Sequence, residues 1–320
     1  MVNIGFIGCH KISDVCLKKI CELALEYGDH VKTVFNLTPN EGSKHSYYAD
    51  FSSLQKKYDF PLHFVIDVSN KENIQKMLDS KLDIIFIIGW HRIVPQSVLD
   101  VAKIKLGIHS SLLPKERGSS PINWQIIRGD IMGGVTLFHL TTGVDSGPIV
   151  DQEQYSIDEN DDVKTVYSKA IDSSLDLLQK NWHDIHNLNP KNIPQNESDA
   201  TFNKRRTPND GIIDWSKSSK QCYDWIRALT FPYPGAFTYW NGKKILIWKS
   251  NISKTVGNHF GEILDISKKI LVTTGDGSIE ISLLQIEGEL LCNAEVFKNS
   301  YKIQKGDTFT SSINSSENNK

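Results

Sequence analysis

Apolar positions along this chain follow two rhythms, and the rhythm changes past the middle. Residues 2–7 are a short apolar run and predict a first strand. Residues 13–27 place Val15, Leu17, Ile20, Leu23 and Leu25 at helical spacing, with Ser13 or Asp14 as the N-cap. Val31 to Phe35 and His63 to Ile66 predict strands, Asn70 to Leu78 a helix, and Thr38 to Tyr48 a polar loop. Leu82 to Ile88 is almost unbroken in its hydrophobicity, as a strand buried on both faces should be. Ile104 to Ile108 and Val135 to Leu140 add strands. Pro121 to Gly129 predicts a helix with proline in its first turn. Asp158 to His186 predicts one long helix, whose stripe of Val163, Val166, Tyr167, Ala170 and Ile171 would cover the sheet. Alternating strands and helices predict an α/β unit, Rossmann-like, with a mostly parallel sheet.

Beyond residue 186 the pattern shifts. Asn187 to Asp199 is rich in Asn, Pro and Ser and reads as a linker, and Lys204-Arg205-Arg206 beside it reads as solvated charge. Ser218 to Leu229 predicts a helix. Phe237 to Trp240 and Lys244 to Trp248 flank Asn241-Gly242, the signature of a type I′ hairpin. Gly261 to Ile266, Ile270 to Thr274 and Ile279 to Ile286 continue the β pattern and predict a small OB-like β-barrel. The organisation expected is therefore a catalytic domain over 1–188, a linker over 189–206, a β-barrel domain over 207–306 and a disordered, Ser/Asn-rich tail over 307–320.

Composition narrows the classes. A length of 320 residues suggests two domains, and a formal net charge of −2 leaves no global electrostatic footprint for nucleic acid. No run of apolar residues is long enough to span a membrane, and the N-terminus lacks the basic region of a signal peptide. The five cysteines, Cys9, Cys16, Cys21, Cys222 and Cys292, fit neither a disulfide framework nor a metal motif, so reduced thiols in a cytoplasmic protein and no metal are expected. Cys9 beside His10 reads as two neighbours in a strand-end turn, not as nucleophile and base. Gly5-x-x-Gly8 lacks the full dinucleotide fingerprint and reads as a tight turn.

The chemistry concentrates between Gly107 and Val150. His109 and Asp145 each follow an apolar run at a point where a loop opens, and an open sheet binds ligands outside the carboxyl ends of its strands. An Asp that holds and charges an imidazole is a recurrent device for general acid–base catalysis. Ser111-Leu112-Leu113-Pro114, followed by Arg117-Gly118, is an apolar loop that could wall a flat ligand.

These residues resemble the folate-dependent formyltransferases, which include methionyl-tRNA formyltransferase, glycinamide ribonucleotide transformylase and the nucleotide-sugar N-formyltransferases. The family pattern is Asn-x-His, Ser-Leu-Leu-Pro-x-x-Arg-Gly, then Asp in a Gly-Val-Thr…Asp-x-Gly segment. Here His109 and Asp145 keep the family spacing of about 36 positions, while Gly107 stands where the family has Asn. The run from Thr207 to Trp248 resembles the second domain of the larger members, among them one that formylates a UDP-linked 4-amino sugar. The likeness covers roughly residues 1 to 290.

The resemblance implies N10-formyltetrahydrofolate as co-substrate and a small amine as acceptor. It implies a cofactor site at Trp90, His91, Arg92, Ile93, Leu112, Leu113, Pro114, Thr141, Thr142, Gly143, Val144 and Asp145, and substrate contacts at Ser111, Arg117, Gly118 and Asn123. His109 would accept the amine proton as the tetrahedral intermediate forms, and Asp145 would orient and charge it. The family Asn points its amide at the oxyanion; losing such a donor costs about 10²–10³ in rate elsewhere. The expectation at Gly107 is an active protein in which a backbone N–H, Asn123 or water fills the space. Three readings follow: a nucleotide-sugar N-formyltransferase, a homodimer being the assembly considered; a methionyl-tRNA formyltransferase, disfavoured by the charge balance; and a non-catalytic folate- or nucleotide-sugar-binding relative.

Overall fold

The computed structural model describes residues 1–312 and divides into two compact units. The first comprises residues 1–121, 132–156 and 167–204. Its elements are β1 (Asn3–Gly8), α1 (Lys11–Tyr27), β2 (His30–Leu37), α2 (Pro39–Gly42), α3 (Ser52–Tyr58), β3 (Leu62–Val65), α4 (Lys71–Asp79), β4 (Ile84–Ile88), α5 (Gln96–Leu99), β5 (Ile104–His109) and β6 (Arg117–Gly118). After α6 (Pro121–Arg128) come β7 (Met132–His139), β8 (Ile149–Ser156), the long α7 (Val163–His186) and β9 (Phe202–Asn203).

Seven strands form one sheet in the order β3-β2-β1-β4-β5-β7-β8. The first five are parallel and wound as in a Rossmann-like sheet. β7 and β8 then reverse, each antiparallel to its neighbour. One face packs Ile7, Ile85 and Ile87 into a cluster with Phe35, Met77 and Val98. On the other, Phe86 stacks on Trp182 of α7 with centroids 6.0 Å apart, both side chains almost fully buried. α7 thus lays Trp182 on the sheet, while Val163 and Val166 of the expected stripe group with the second unit. It begins at Val163, five residues later than expected, because the Asp162 carboxylate accepts from the amides of Lys164 and Thr165 and caps the first turn.

Ser13 is not the N-cap of α1, which begins at Lys11. Its hydroxyl accepts from the amides of Cys9 and His10 and donates to Ile88 O, tying the β1–α1 turn to the end of β4.

The second unit comprises residues 122–131, 157–166 and 205 onwards. It holds α8 (Ser219–Leu229), β10 (Ala236–Trp240), β11 (Lys243–Ser253), β12 (Ile263–Asp265), β13 (Ile270–Thr273), β14 (Ser278–Ile286), β15 (Cys292–Asn293) and α9 (Ala294–Tyr301). The strands form a curled antiparallel sheet in the order β10-β11-β14-β13-β12, with β15 beside β14. Asn241 and Gly242 both have positive φ, as the type I′ hairpin requires. Ile245, Ile247, Ile263, Ile270, Ile279 and Ile281 fill the interior.

The start of the expected disordered tail is ordered. Thr310 exchanges two main-chain bonds with Tyr239 on β10, while Asp307 and Phe309 bond with Ile263 and Gly261 at the β12 end. Residues 307–310 therefore bridge the two edge strands and close the barrel. Phe309, 1 % exposed, stacks on Trp215. Burial of this one aromatic between paired strands outweighs the polar composition around it. The remainder of the expected tail, 313–320, lies outside the described residues.

Candidate active site

His109 is the last residue of β5, paired with Thr136 in the middle of β7. Because β7 runs antiparallel, its own exit lies beside Leu106, towards the start of β5. The expectation that both strands deliver their residues to one carboxyl edge therefore changes in detail: Asp145 reaches His109 by the loop after β7, which doubles back. Leu140 starts that return, standing where a side chain at Gly107 would project; a Cβ there would lie 2.8 Å from Leu140 Cδ2. Residues 107 and 109 share one face of the strand, so the loop crosses that face on its way from Leu140 to Asp145.

The two side chains meet. His109 Nδ1 lies 3.6 Å from Asp145 Oδ2, with the imidazole about nine-tenths buried and the carboxylate more open. His109 Nε2 lies 2.8 Å from Glu116 O, which can only accept, so Nε2 carries a proton and the neutral ring keeps its lone pair on Nδ1. The Gly118 amide donates to Asp145 Oδ2 at 2.8 Å. Asp145 itself is held at φ 48°, an unusual conformation for a residue with a side chain.

The Ser-Leu-Leu-Pro loop is fixed by polar groups from β7 and β8. Thr136 Oγ1 donates to Ser111 O and accepts from the Leu113 amide, and Gln152 Nε2 donates to Leu113 O and to Thr136. Leu112 lies over Gly134, where any side chain would collide with it. Neither Thr136 nor Gln152 stood out in the sequence; each is one polar residue on a strand.

Several expected contact residues have internal partners. Ser111 is fully buried and donates to Lys115 O. Arg117, 2 % exposed, gives its guanidinium to Gln195 Oε1 and to both oxygens of Glu197, which holds that carboxyl below its usual range. The Asn123 amide donates to Ala228 O within the second unit. Gly118 contributes the amide that bonds Asp145. The space in front of Gly107 holds the apolar Leu140, not a substitute donor, and Gly107 has no positive φ, so Gly is not there for its backbone freedom.

The two loops expected to bind the ring have a common base. Trp90 and Leu140 pack against one hydrophobic cluster. Beyond them, Arg92, Ile93, Thr141, Thr142, Gly143 and Val144 are exposed and His91 is partly so. Leu113 is buried, with Leu112 and Pro114 partly exposed. Near Trp90, burial pushes the Cys9 thiol up to about 12, and burial together with the neighbouring His45 and His91 pushes His10 down to about 4. A protonated thiol beside a neutral imidazole is no activated nucleophile. Two cavities, of about 640 Å³ in the second unit and about 580 Å³ along β3, contain neither His109 nor Asp145 in their walls. The acid–base geometry locates the site better than cavity volume does.

The segment read as a linker is part of this site. Ile193 exchanges two main-chain bonds with Ile149. Gln195 Nε2 donates to Asp145 O at 2.8 Å and Gly147 O at 2.7 Å. Thr201 Oγ1 accepts from the Glu116 amide, and β9 pairs with β6. Its scarcity of apolar residues hid this role, because it docks through hydrogen bonds.

Comparison with known proteins agrees with the geometry. Residues 48–180 match the family described as formyl transferase, and residues 205–302 match the formyl transferase C-terminal domain. The chain is 31% identical over 317 residues to the bifunctional polymyxin resistance protein ArnA of Wigglesworthia glossinidia brevipalpis, covering 99% of this chain and 46% of that protein. It thus spans a little under half the length of that relative. Among solved structures, HypX from Aquifex aeolicus in complex with tetrahydrofolic acid is similar with a TM-score of 0.66 at 16% identity, over 97% of this chain and 50% of that one. An N-formyltransferase from Helicobacter canadensis in complex with folinic acid and dTDP-3-aminofucose is similar with a TM-score of 0.65 at 21% identity, over 88% and 98%. At such identities the structural likeness speaks for the fold alone. With the first match enclosing the His109–Asp145 pair and the C-terminal match following it in order, the chain belongs to the formyl transferase family.

Proposed function

We propose that this protein transfers the formyl group of N10-formyltetrahydrofolate to the amine of a nucleotide-linked amino sugar, as a step in making a surface polysaccharide such as lipopolysaccharide. The observation that carries the reading is the His109–Asp145 pair, with Nδ1 3.6 Å from the carboxylate and Nε2 bonded to Glu116 O. The folate supplies an activated formyl carbon. Loops 90–93 and 141–144 suit a flat ring, since both rise from one apolar cluster and are largely exposed beyond it.

The residues of this chain then handle the proton. His109 Nδ1 holds the available lone pair and takes the proton that the amine sheds on attacking the formyl carbon. Asp145 beside Nδ1 and Glu116 O at Nε2 stabilise the resulting imidazolium at both nitrogens. The same proton returns to the departing folate nitrogen.

A nucleotide-sugar acceptor is supported over tRNA by the net charge of −2 and by the use of Arg206. That side chain sits 5.0 Å from the Trp124 ring and 4.6 Å from that of Trp225, and it donates to Asp210 O, so it serves the fold rather than a phosphate. Among the described residues no helix is long and apolar enough to cross a membrane. The free state of all five cysteines supports a reducing compartment such as the cytoplasm. Incubation with N10-formyltetrahydrofolate and a panel of UDP- and dTDP-linked amino sugars, read by mass spectrometry, tests the reading. A gain of one formyl group on one member is expected. No formylation of any member, with formylation of methionyl-tRNA instead, overturns it.

A further inference from the structure

We infer that Gln195 is a positioning residue for the His109–Asp145 pair, holding Asp145 through its main chain; the inference rests on the proposed formyl transfer for its kinetic readout. Asp145 sits at positive φ on an exposed return loop, a conformation that needs outside support to persist. Two contacts supply it. The Gly118 amide holds the carboxylate. The Gln195 amide bridges the loop, donating to Asp145 O and Gly147 O. Gly147 is locked as well, since any side chain there would strike His139 O.

The other end of Gln195 is itself held. Its Oε1 accepts from Arg117 Nε at 3.1 Å and Nη2 at 2.8 Å, and Glu197 takes the rest of that guanidinium. Arg117 directly precedes Gly118, so one buried cation sets both ends of the clamp on Asp145. The same strand of chain also reaches the opposite side of the imidazole. Thr201 Oγ1 fixes the Glu116 amide, and Glu116 O fixes His109 Nε2. Residues 195–203 thus hold the partner of each ring nitrogen.

Gln195→Glu isolates the donation. A carboxylate still accepts from Arg117 but cannot donate to Asp145 O or Gly147 O. Gln195→Ala removes both functions. A displacement near 1 Å of a catalytic group costs up to about 10²-fold, so kcat should fall about 10-fold to 10²-fold in both variants. KM for the formyl-folate should stay within about twofold, and the pH–rate profile should depart from wild type in the same sense as that of an Asp145→Asn control measured beside it. The ¹⁵N resonance of His109 Nδ1 should shift in the folded variants. Wild-type kcat and pH profile in Gln195→Glu, or a loss confined to KM, would overturn the inference. A wild-type protein that formylates no amine defeats the proposed function instead, and the His109 resonance then decides alone: a shift in Gln195→Glu supports the clamp, and an unchanged resonance ends it.

Discussion

Leu140 fills the space that a side chain at Gly107 would take. A side chain built at Gly107 would meet Leu140 Cδ2 at 2.8 Å and Ile87 O at 3.2 Å. Gly107 lies on an ordinary extended strand, so its small size, rather than any unusual backbone, is what Leu140 uses. The missing side chain at residue 107 and the course of the 140–147 loop are therefore one structural fact.

Gly107→Asn alone should push Leu140 off its cluster, costing about 1–3 kcal/mol by overpacking, and should not raise kcat. Adding Leu140→Ala relieves the collision and lets the amide stand beside His109. In the double variant kcat should exceed that of Leu140→Ala by up to about 10²-fold, the worth of one oxyanion donor elsewhere. A comparison of the three variants in single-turnover formyl transfer decides it. Equal rates in Leu140→Ala and in the double variant would mean that the reaction draws its oxyanion donor from elsewhere.

His109→Ala removes the imidazole and the lone pair on Nδ1. General acid–base groups contribute about 10²–10⁴-fold, and a loss of that size in kcat is expected with folate binding retained, because loops 90–93 and 141–144 do not depend on the ring. Fluorescence titration of the folate checks the second half. Retained turnover would remove His109 from the mechanism.

The strand–helix alternation, the type I′ hairpin and the pairing of His109 with Asp145 were legible because each rests on a local pattern or on a motif. The route by which Asp145 arrives was not. Nothing in Val135 to Leu140 distinguishes a parallel strand from the antiparallel β7, because an apolar run reports burial, not direction. Residues 189–206 looked like a linker because propensity reads apolar content, whereas Gln195, Glu197 and Thr201 dock by side-chain hydrogen bonds to partners up to 85 positions away. α9 follows the last strand with an amphipathic pattern too short to stand out from it. Phe309 was lost in a polar tail because one aromatic does not change a window average.

Phe309→Ala should destabilise the second unit by about 3–5 kcal/mol, the usual range for deleting a fully buried aromatic. It also removes the anchor of the segment that joins the edges at Tyr239 and Gly261. Deletion from Thr308 onward should match or exceed it. Calorimetry of both variants tests this, and a midpoint equal to wild type for the deletion would mean that the barrel closes without that segment.

The pH dependence of stability should carry the mark of His10. Burial first, then the charges of His45 and His91, depress its folded pKa from the ordinary 6.5 to about 4. Between those values the unfolded chain binds a proton at His10 that the folded chain does not. The unfolding free energy therefore rises with pH across that window and falls as pH drops from 6.5 towards 4. At pH 5 this one group should account for up to about 2 kcal/mol of lost stability relative to pH 7. His10→Asn lacks the titration, so its stability should decline less steeply over the same range, whatever its value at pH 7. Urea unfolding of both proteins at half-unit steps from pH 7 to 4.5 gives the two slopes. Parallel slopes would show that His10 takes up its proton in the folded protein as readily as in the unfolded chain.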